Sequence, residues 1–208
     1  MRRVHRLLVI AAAVVGTASL ALADPARVPP RLQAPIAVGG PDQALFSEAV
    51  LLYSNAIRRQ HGRSPLRLDP GLSRAAAEHA TNMARLKTHS HELPVRGQKV
   101  LSQRIKRQSI SYRQAAENIA MDKVYRLLGR PISTISRGCE FRYGDTMAPV
   151  PIHTYASLAE QVVSRWLASP KHRASLLSPT YQRLGAGVGV DREGPACGDL
   201  YLVQDFAD

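Results

Sequence analysis

Cysteine is nearly absent from this sequence, which has two among its 208 residues. Two cysteines are too few for a Cys-rich zinc module or for a small fold that depends on several disulfides. Glycine and proline, 14 of each, are too few and too aperiodic for a fibrous or low-complexity protein. With 45% hydrophobic and 21% charged residues, an intrinsically disordered chain is also excluded. The length fits one domain or two very small ones.

Long apolar runs are absent except at the amino terminus, where one extends from Leu7 to Leu22. Arginines precede it, and Ala21-Leu22-Ala23 places small residues at positions −3 and −1 of a cleavage site. These parts are typical of a secretory signal peptide, residues 1–23, cleaved after Ala23. An uncleaved membrane anchor is the alternative, but the run is shorter than the roughly 20 residues that span a bilayer. We therefore expect a secreted or periplasmic protein.

Acidic residues are few: 16 Asp and Glu stand against 28 Lys and Arg, a formal net charge of +12. The signal peptide contains three arginines and no acid, so the mature chain carries +9. Such a charge favours anionic partners, and an exported protein meets cell-envelope polymers and membrane surfaces before nucleic acid. The densest basic groups are Arg58-Arg59 and Arg104 with Lys106 and Arg107. We interpret them as solvated helix faces and expect no nucleic-acid partner.

Proline and glycine divide the chain. Residues 24–41 hold most of the early prolines, which predicts an extended leader and not a packed element. The folded domain is expected over residues 42–208. The stretch 121–153 shows no sustained hydrophobic period, so we interpret it as a long irregular excursion from the domain. We expect it to form one wall of the functional cleft.

Hydrophobic periodicity predicts both helices and strands. Apolar residues at helical spacing predict helices at about 42–61, 70–87, 100–108, 155–168 and 170–177. Alternating residues predict strands at about 184–191 and 199–206, with a short strand at 140–143. Helices early and strands late indicate an α+β domain with helices packed on a sheet.

The two cysteines, Cys139 and Cys197, are both exported if residues 1–23 act as a signal peptide. An even count in an oxidising compartment predicts one disulfide between them. It would tie the irregular excursion to the loop between the last two strands. The alternative is a pair of buried free thiols.

Five short patterns occur in a particular order along the chain. They are His79-Ala80 with Met83-Ala84, His91 after the second helix, Ala116-Glu117-Asn118-Ile119-Ala120, Trp166 with Ser169-Pro170-Lys171-His172-Arg173, and Tyr201 to Phe206. In this order they resemble the CAP superfamily of cysteine-rich secretory, antigen 5 and pathogenesis-related proteins, and more closely its bacterial SCP-like extracellular branch. The resemblance covers about residues 44–208. It implies an α-β-α sandwich with a central, mostly antiparallel sheet flanked by helices.

The resemblance also implies a cleft with two histidines and two glutamates. His91 matches the first histidine, Glu117 the glutamate of the Glu-Asn-Ile signature, and His172 the second histidine. The other glutamate normally follows the tryptophan by three positions, where this chain has Ser169. The tetrad is therefore incomplete, which weakens any mechanism that needs two carboxylates.

Two imidazoles and a carboxylate suit zinc if the fold brings them together. On this hypothesis His91 and His172 bind the metal and Glu117 is the base for an activated water. Alternatively, Glu117 holds loop amides. We expect His172 to be the third residue of a helix capped by Ser169, whose positive end favours neutral imidazole.

Other candidates have simpler explanations. His79 lies on an apolar helical stripe, which predicts a hydrogen-bonded core histidine, and Trp166 is expected in the core for the same reason. His89 competes with His91 for the cleft, since residues two apart on an extended segment point to one side. Neither Ser90 nor Ser169 lies in a Gly-x-Ser-x-Gly elbow.

The function that these patterns favour is a secreted or periplasmic binding module. Its expected ligand is a lipid, a sterol-like molecule or another cell-envelope component such as an anionic polymer, bound in the His/Glu cleft. The alternative is a metal-dependent hydrolase or peptidase using His91, Glu117 and His172. A structural or host-interaction protein is a third hypothesis. No pattern indicates an oligomeric state.

Overall fold

The computed structural model describes residues 28–134 and 139–208, so the predicted signal peptide lies outside the described residues. The helices are α1 Gln43–Gln60, α2 Pro70–Leu86, α3 Leu101–Arg107, α4 Tyr155–Ala168 and α5 Pro170–Leu176. The strands are β1 Arg67–Leu68, β2 Ala115–Lys123, β3 Ile132–Thr134, β4 Phe141–Tyr143, β5 Arg183–Asp191 and β6 Asp199–Ala207. The predicted helices and the three predicted strands are confirmed to within about two residues at each end.

Local capping explains where the main helices begin. The Asp42 carboxylate accepts hydrogen bonds from the first backbone amides of α1, and Asp69 does the same for α2, which has proline at its first position. In α4, the Thr154 and Ser157 side chains each bond the other's backbone amide. Gly62 follows α1 with a φ of 64°, a conformation that glycine adopts without a steric penalty.

A four-stranded sheet in the order β1-β5-β6-β2 forms the middle layer. Strands β5, β6 and β2 are antiparallel neighbours, and the short β1 runs parallel to β5. Strand β2 lies at the edge, with Glu117 directly opposite Asp205 and Asn118 opposite Gln204. Since side chains alternate between faces, these two pairs point to opposite sides of the sheet.

Helices cover both faces of the sheet. Leu184, Ala186 and Val188 of β5 share a buried cluster with residues of α1 and α4. The alternating glycines of β5 face α2 instead, and a Cβ at Gly187 would lie 2.2 Å from the Ala77 amide nitrogen. The predicted α-β-α sandwich is confirmed, and α2 contacts the sheet through backbone.

The leader prediction was wrong for the residues that the structure describes. Residues 30–33 form a 3-10 turn, and Pro35 forms a β-bridge with Thr154. Leu32 and Ile36 are buried in the cluster shared by α1 and α4. The apolar side chains between the prolines pack against the core, and the free energy gained by burying them outweighs the local preference of the prolines for an extended chain.

The excursion after β2 contains a hairpin of β3 and β4 and a small apolar cluster around Phe141, Tyr143 and Val150. Cys139 is bonded to Cys197, with Cα atoms 5.8 Å apart, which confirms the predicted disulfide. The bond ties the hairpin to the loop between β5 and β6. The hydrogen bonds described for this region, such as the one from the Val124 amide to the Gly198 carbonyl, do not involve His91 or His172.

Two of the arginines interpreted as solvated are buried, which corrects that expectation. Arg58 is 1% exposed and donates to the carbonyls of Ser64, Leu176 and Ser178. Arg104 is 0% exposed. A guanidinium has five N–H donors, so it can be buried where several carbonyls or a carboxylate converge.

Candidate functional site

The site is built around Glu117, on the face of β2 that α2 and α3 cover. Its side chain is 4% exposed. One oxygen, Oε1, lies 2.8 Å from His91 Nδ1, and the other accepts from Arg104 Nη2 at 2.6 Å. The donors are therefore two side chains, one from the loop after α2 and one from α3, and not the loop amides that the alternative interpretation of Glu117 predicted.

The contact with Glu117 determines how His91 presents its ring. A carboxylate only accepts hydrogen bonds, so Nδ1 of His91 carries the proton. The His91 side chain is 55% exposed. Its Nε2 is then the free ring nitrogen, available to accept a proton or to contact a ligand.

Arg104 keeps Glu117 ionised. Burial acts to raise the pKa of Glu117, but the hydrogen bond from His91 and the charge of Arg104 outweigh it and the pKa is lowered. Arg104 Nη1 also faces the carbonyls of His91, Gln98 and Lys99 at 3.3–3.4 Å. One guanidinium thus holds both the carboxylate and the loop that carries His91.

His79 lies behind this group, in agreement with the prediction of a core histidine. It is 1% exposed, and its Nε2 lies 3.0 Å from the Ser90 carbonyl and 3.8 Å from Glu117 Oε2. Burial lowers the pKa of His79 to about 4, so the ring is neutral at physiological pH. Its neutral N–H anchors the segment just before His91.

His172 lies on α5, which is tied to the face of β2 opposite to Glu117. It is the third residue of α5 and Ser169 is the N-cap residue, as predicted, but the Ser169 side chain forms no capping hydrogen bond. The His172 carbonyl accepts from Asn118 Nδ2 at 3.2 Å, and the same amide group donates to Gln204 Oε1 at 3.1 Å. Asn118 therefore has a structural role, tying α5 to the sheet.

Positive charge on His91 and Arg165 affects two other imidazoles of the cleft, those of His89 and His172. Burial lowers the pKa of His89, and positive charge on His91, Arg165 and His172 lowers it further. Burial and positive charge on His91 and Arg165 lower the pKa of His172 in the same way. His89 and His172 thus both lie near His91 and Arg165, and His91 is the histidine that is hydrogen-bonded to Glu117.

Helix α4 covers the open edge of β2. Trp166 is 1% exposed, as predicted for a core residue, and its Nε1 donates to the Ile119 carbonyl at 3.2 Å. Arg165 Nη1 donates to the Met121 carbonyl at 2.8 Å and to Asp122 Oδ2 at 3.1 Å. These donors satisfy edge carbonyls and hold Arg165 beside the histidines.

Comparison with known proteins identifies the fold. Residues 51–109 and 103–206 match the family model described as the Cysteine-rich secretory protein family, CAP. The chain belongs to the CAP family. Its fold and its disulfide fit the extracellular proteins of this family, and no helix in the described part of the chain is long and apolar enough to cross a membrane.

One curated relative of this CAP protein comes from a bacterium. The chain is 26% identical over 177 residues to the uncharacterized protein YkwD of Bacillus subtilis (strain 168), spanning 85% of this chain and 53% of YkwD. It thus spans about half the length of that curated relative.

Two solved structures share the fold. An extracellular protein containing a SCP domain from Bacillus anthracis str. Ames has a TM-score of 0.51 and 22% identity, over 78% of this chain and 40% of that one. An outer surface protein from Borrelia burgdorferi has a TM-score of 0.53 and 17% identity, over 80% of this chain and 95% of that one.

The donor set of the CAP cleft does not make a complete catalytic zinc site. Such sites use three protein ligands, and here His91 and His172 offer two ring nitrogens while both oxygens of Glu117 are bonded. In residues 28–134 and 139–208 no group of three or more His, Cys, Asp or Glu is placed to hold a metal. Glu117 is also poorly placed as a general base, because it is buried beneath His91.

Sequence reasoning missed two residues beside Glu117. Arg104 lies between Leu101 and Ile105 on the apolar side of α3, and a charge in that position was the available signal. Asp205 in β6 is fully buried and lies directly opposite Glu117 on the neighbouring strand β2. The alternation along β6 places Asp205 on one face with Tyr201 and Val203, but alternation alone does not indicate that a carboxyl is buried there.

Proposed function

We propose that this CAP protein is a secreted binding module whose cleft holds an anionic component of the cell envelope. The residues that would contact the anion are His89, His91, His172 and Arg165. The observation that carries the proposal is the arrangement of charge: His89, His91 and Arg165 are exposed and His172 is partly exposed, while the Glu117 carboxylate is buried beneath His91. The net charge of the chain acts in the same direction at long range.

The charges in the cleft favour an anion as the ligand, because the carboxylate repels it little and the imidazole rings can take up protons when it binds. Glu117 is neutralised by Arg104, so it repels an anion only weakly. Arg165 shares its charge with Asp122, and the pKa values of His89 and His172 are lowered. An anion placed among these rings would stabilise their protonated forms and receive charge-assisted hydrogen bonds from them.

A binding role is also favoured because the cleft offers no activated nucleophile among the residues that the structure describes. The Ser90 carbonyl contacts His79, and its hydroxyl oxygen accepts from the Glu92 amide at 3.2 Å. This serine therefore shapes the turn that carries His91. Both cysteines are in the disulfide, which removes a thiolate from consideration.

We expect the protein to bind vesicles containing phosphatidylglycerol, or isolated anionic cell-wall polymer, more tightly at pH 5.5 than at pH 7.5. Because the pKa values of His89 and His172 are lowered, these rings gain their charge only as the pH falls below about 6.5, the ordinary value for histidine. Affinity should fall as salt is raised. Binding isotherms at two pH values and two ionic strengths measure both effects.

The variant His91→Ala/His172→Ala should bind about tenfold more weakly at pH 5.5, which corresponds to roughly 1.4 kcal/mol for the lost charged contacts. The matched control is His61→Ala, because His61 lies at the end of α1 and bonds the Ile57 carbonyl. The lipid and polymer arms distinguish the two sources of the anion. Affinity that is insensitive to salt and to both histidines would contradict the proposal and favour an apolar ligand.

A metal-dependent hydrolase is the second candidate; it would need a third zinc ligand besides His91 and His172, and one observation supports it. A carboxylate that orients a histidine through Nδ1 is typical of metal-binding histidines. This function predicts that Zn²⁺ at one hundred times its dissociation constant stabilises the chelated protein by about 2.7 kcal/mol. Thermal unfolding of the wild type and of His91→Ala/His172→Ala tests it, and equal midpoints with and without zinc would refute it.

A further inference from the structure

Asp205 is a buried carboxyl group with no conventional partner. It is 0% exposed, and neither of its oxygens meets a hydrogen-bond donor among the described residues. The residue opposite it in the register is Glu117, whose oxygens already accept from His91 and Arg104. Two carboxylates are both acceptors, so they can hydrogen-bond only if one of them is protonated.

The surroundings of Asp205 decide which carboxyl holds the proton. The charged and titratable groups around the Asp205–Glu117 pair are Arg104 on α3, His79 on α2 and His91 in the loop between these helices. On its other side β5 places Gly185, which packs against the backbone of α2. The Arg104 guanidinium and the His91 ring N–H both donate to Glu117, so the negative charge is stabilised on Glu117 and not on Asp205.

We propose that Asp205 is a neutral carboxylic acid at physiological pH, that its O–H donates to Glu117, and that it thereby acts as a positioning residue for His91. Glu117 then has three side-chain donors, which hold its carboxylate in the orientation that receives His91 Nδ1. The role in ligand binding rests on the function proposed above, whereas the protonation of Asp205 does not.

The energetics support this assignment. Burial raises the pKa of Asp205 well above its ordinary value, the charge of Glu117 raises it further, and Arg104 opposes the change. Two adjacent carboxyls in a buried site cannot both ionise without a large cost. The proton therefore remains on the carboxyl that lacks a cationic partner.

The first test is proton linkage, measured on Asp205→Asn, which keeps the size of the side chain and an N–H donor toward Glu117. The folded wild type holds a proton that the unfolded chain releases near pH 3.9, so Asp205 stabilises the fold at acid pH and this contribution is lost as the pH rises. The ratio of the unfolding constants, wild type over variant, should rise about tenfold per pH unit between about pH 5 and 7, where the folded protein keeps the proton and the unfolded chain does not.

Other titrating groups occur in both proteins and cancel in that ratio. Asp199→Asn is the matched control, because Asp199 lies at the other end of β6 and is bonded to Lys123. The carbon NMR resonance of the Asp205 carboxyl in the wild type gives the same information without a variant and should have the protonated position at pH 7. A flat ratio, or an ionised resonance, would overturn the assignment.

The second test concerns positioning and uses phosphatidylglycerol vesicles at pH 5.5. Asp205→Leu removes the donor to Glu117 and should weaken binding several-fold, whereas Asp205→Asn should bind like the wild type. Equal binding by Asp205→Leu would overturn the positioning role. If the wild type itself binds no vesicles or cell-wall polymer, the proposed function fails, but the linkage experiment still decides the protonation of Asp205.

Discussion

Replacing Gly187 with alanine is expected to lower the free energy of unfolding by at least about 3 kcal/mol and to leave little folded protein. The added Cβ would lie 2.2 Å from the Ala77 amide nitrogen and 2.4 Å from the Ala77 Cα. Both atoms belong to the backbone of α2, so no side-chain rotation relieves the contact. Helix α2 would have to move away from β5. Its residues Ala80 and Met83, which pack against the sheet, would then lose contacts with the sheet.

Urea denaturation followed by circular dichroism measures this effect. Gly39→Ala is the matched control, since a Cβ at Gly39 would meet no atom within 4 Å. Its stability should remain within about 0.5 kcal/mol of the wild type. A similarly small change for Gly187→Ala would mean that α2 is not seated directly on the sheet.

Replacing Arg104 with leucine should cost about 3–5 kcal/mol at neutral pH, because Glu117 would be left as a buried carboxylate without its cation. The carbonyls of His91, Gln98 and Lys99 would lose a donor as well. Arg107→Leu, three residues along α3, is the control. The Arg107 side chain is 50% exposed and lies 3.8 Å from Glu78, so its loss should cost under about 1 kcal/mol.

The cost of Arg104→Leu should depend on pH in a defined direction. In the wild type the pKa of Glu117 is lowered, so its contribution is present above the unfolded value of about 4.3 and is lost as the pH falls through the folded value. Without the charge of Arg104, the effect of burial in raising the pKa of Glu117 is less compensated, so Glu117 takes up a proton at a higher pH. The difference in unfolding free energy between the two proteins should therefore shrink as the pH falls from about 7 to about 4.

Unfolding curves at several pH values test this expectation. A cost that stays constant with pH would show that the ion pair with Glu117 is not the main contribution of Arg104. The remaining explanation would be its bonds to the loop carbonyls, which do not titrate.

Much of the fold was predictable because its signals are local. Asp42 and Asp69-Pro70 mark helix starts, and the alternation in β6 separates Leu202 from Val203 on opposite faces. The packing of residues 30–36 was not predictable in this way. Whether Leu32 and Ile36 are buried depends on a surface formed by α1 and α4, which local sequence does not describe.

The candidate site was predicted through family resemblance more than through residue chemistry. His91, Glu117 and His172 are separated by 26 and 55 residues, so no local spacing links them. The structure brings His91 onto Glu117 and places His172 on the other side of the same edge strand. Their use in binding, and any zinc ligation by His91 and His172, remain predictions.

The amino-acid sequence by itself determined the boundaries of five helices and three strands, the two-faced pattern of β6 and the pairing of two cysteines, because each depends on neighbouring residues or on a simple count. Tertiary structure alone decided the state of Arg104, Glu117 and Asp205. Whether a charged side chain is solvated, paired or protonated depends on which groups the fold places around it, and these three come from α3, β2 and β6. The energy of a buried charge is set by that environment, which no sequence window contains.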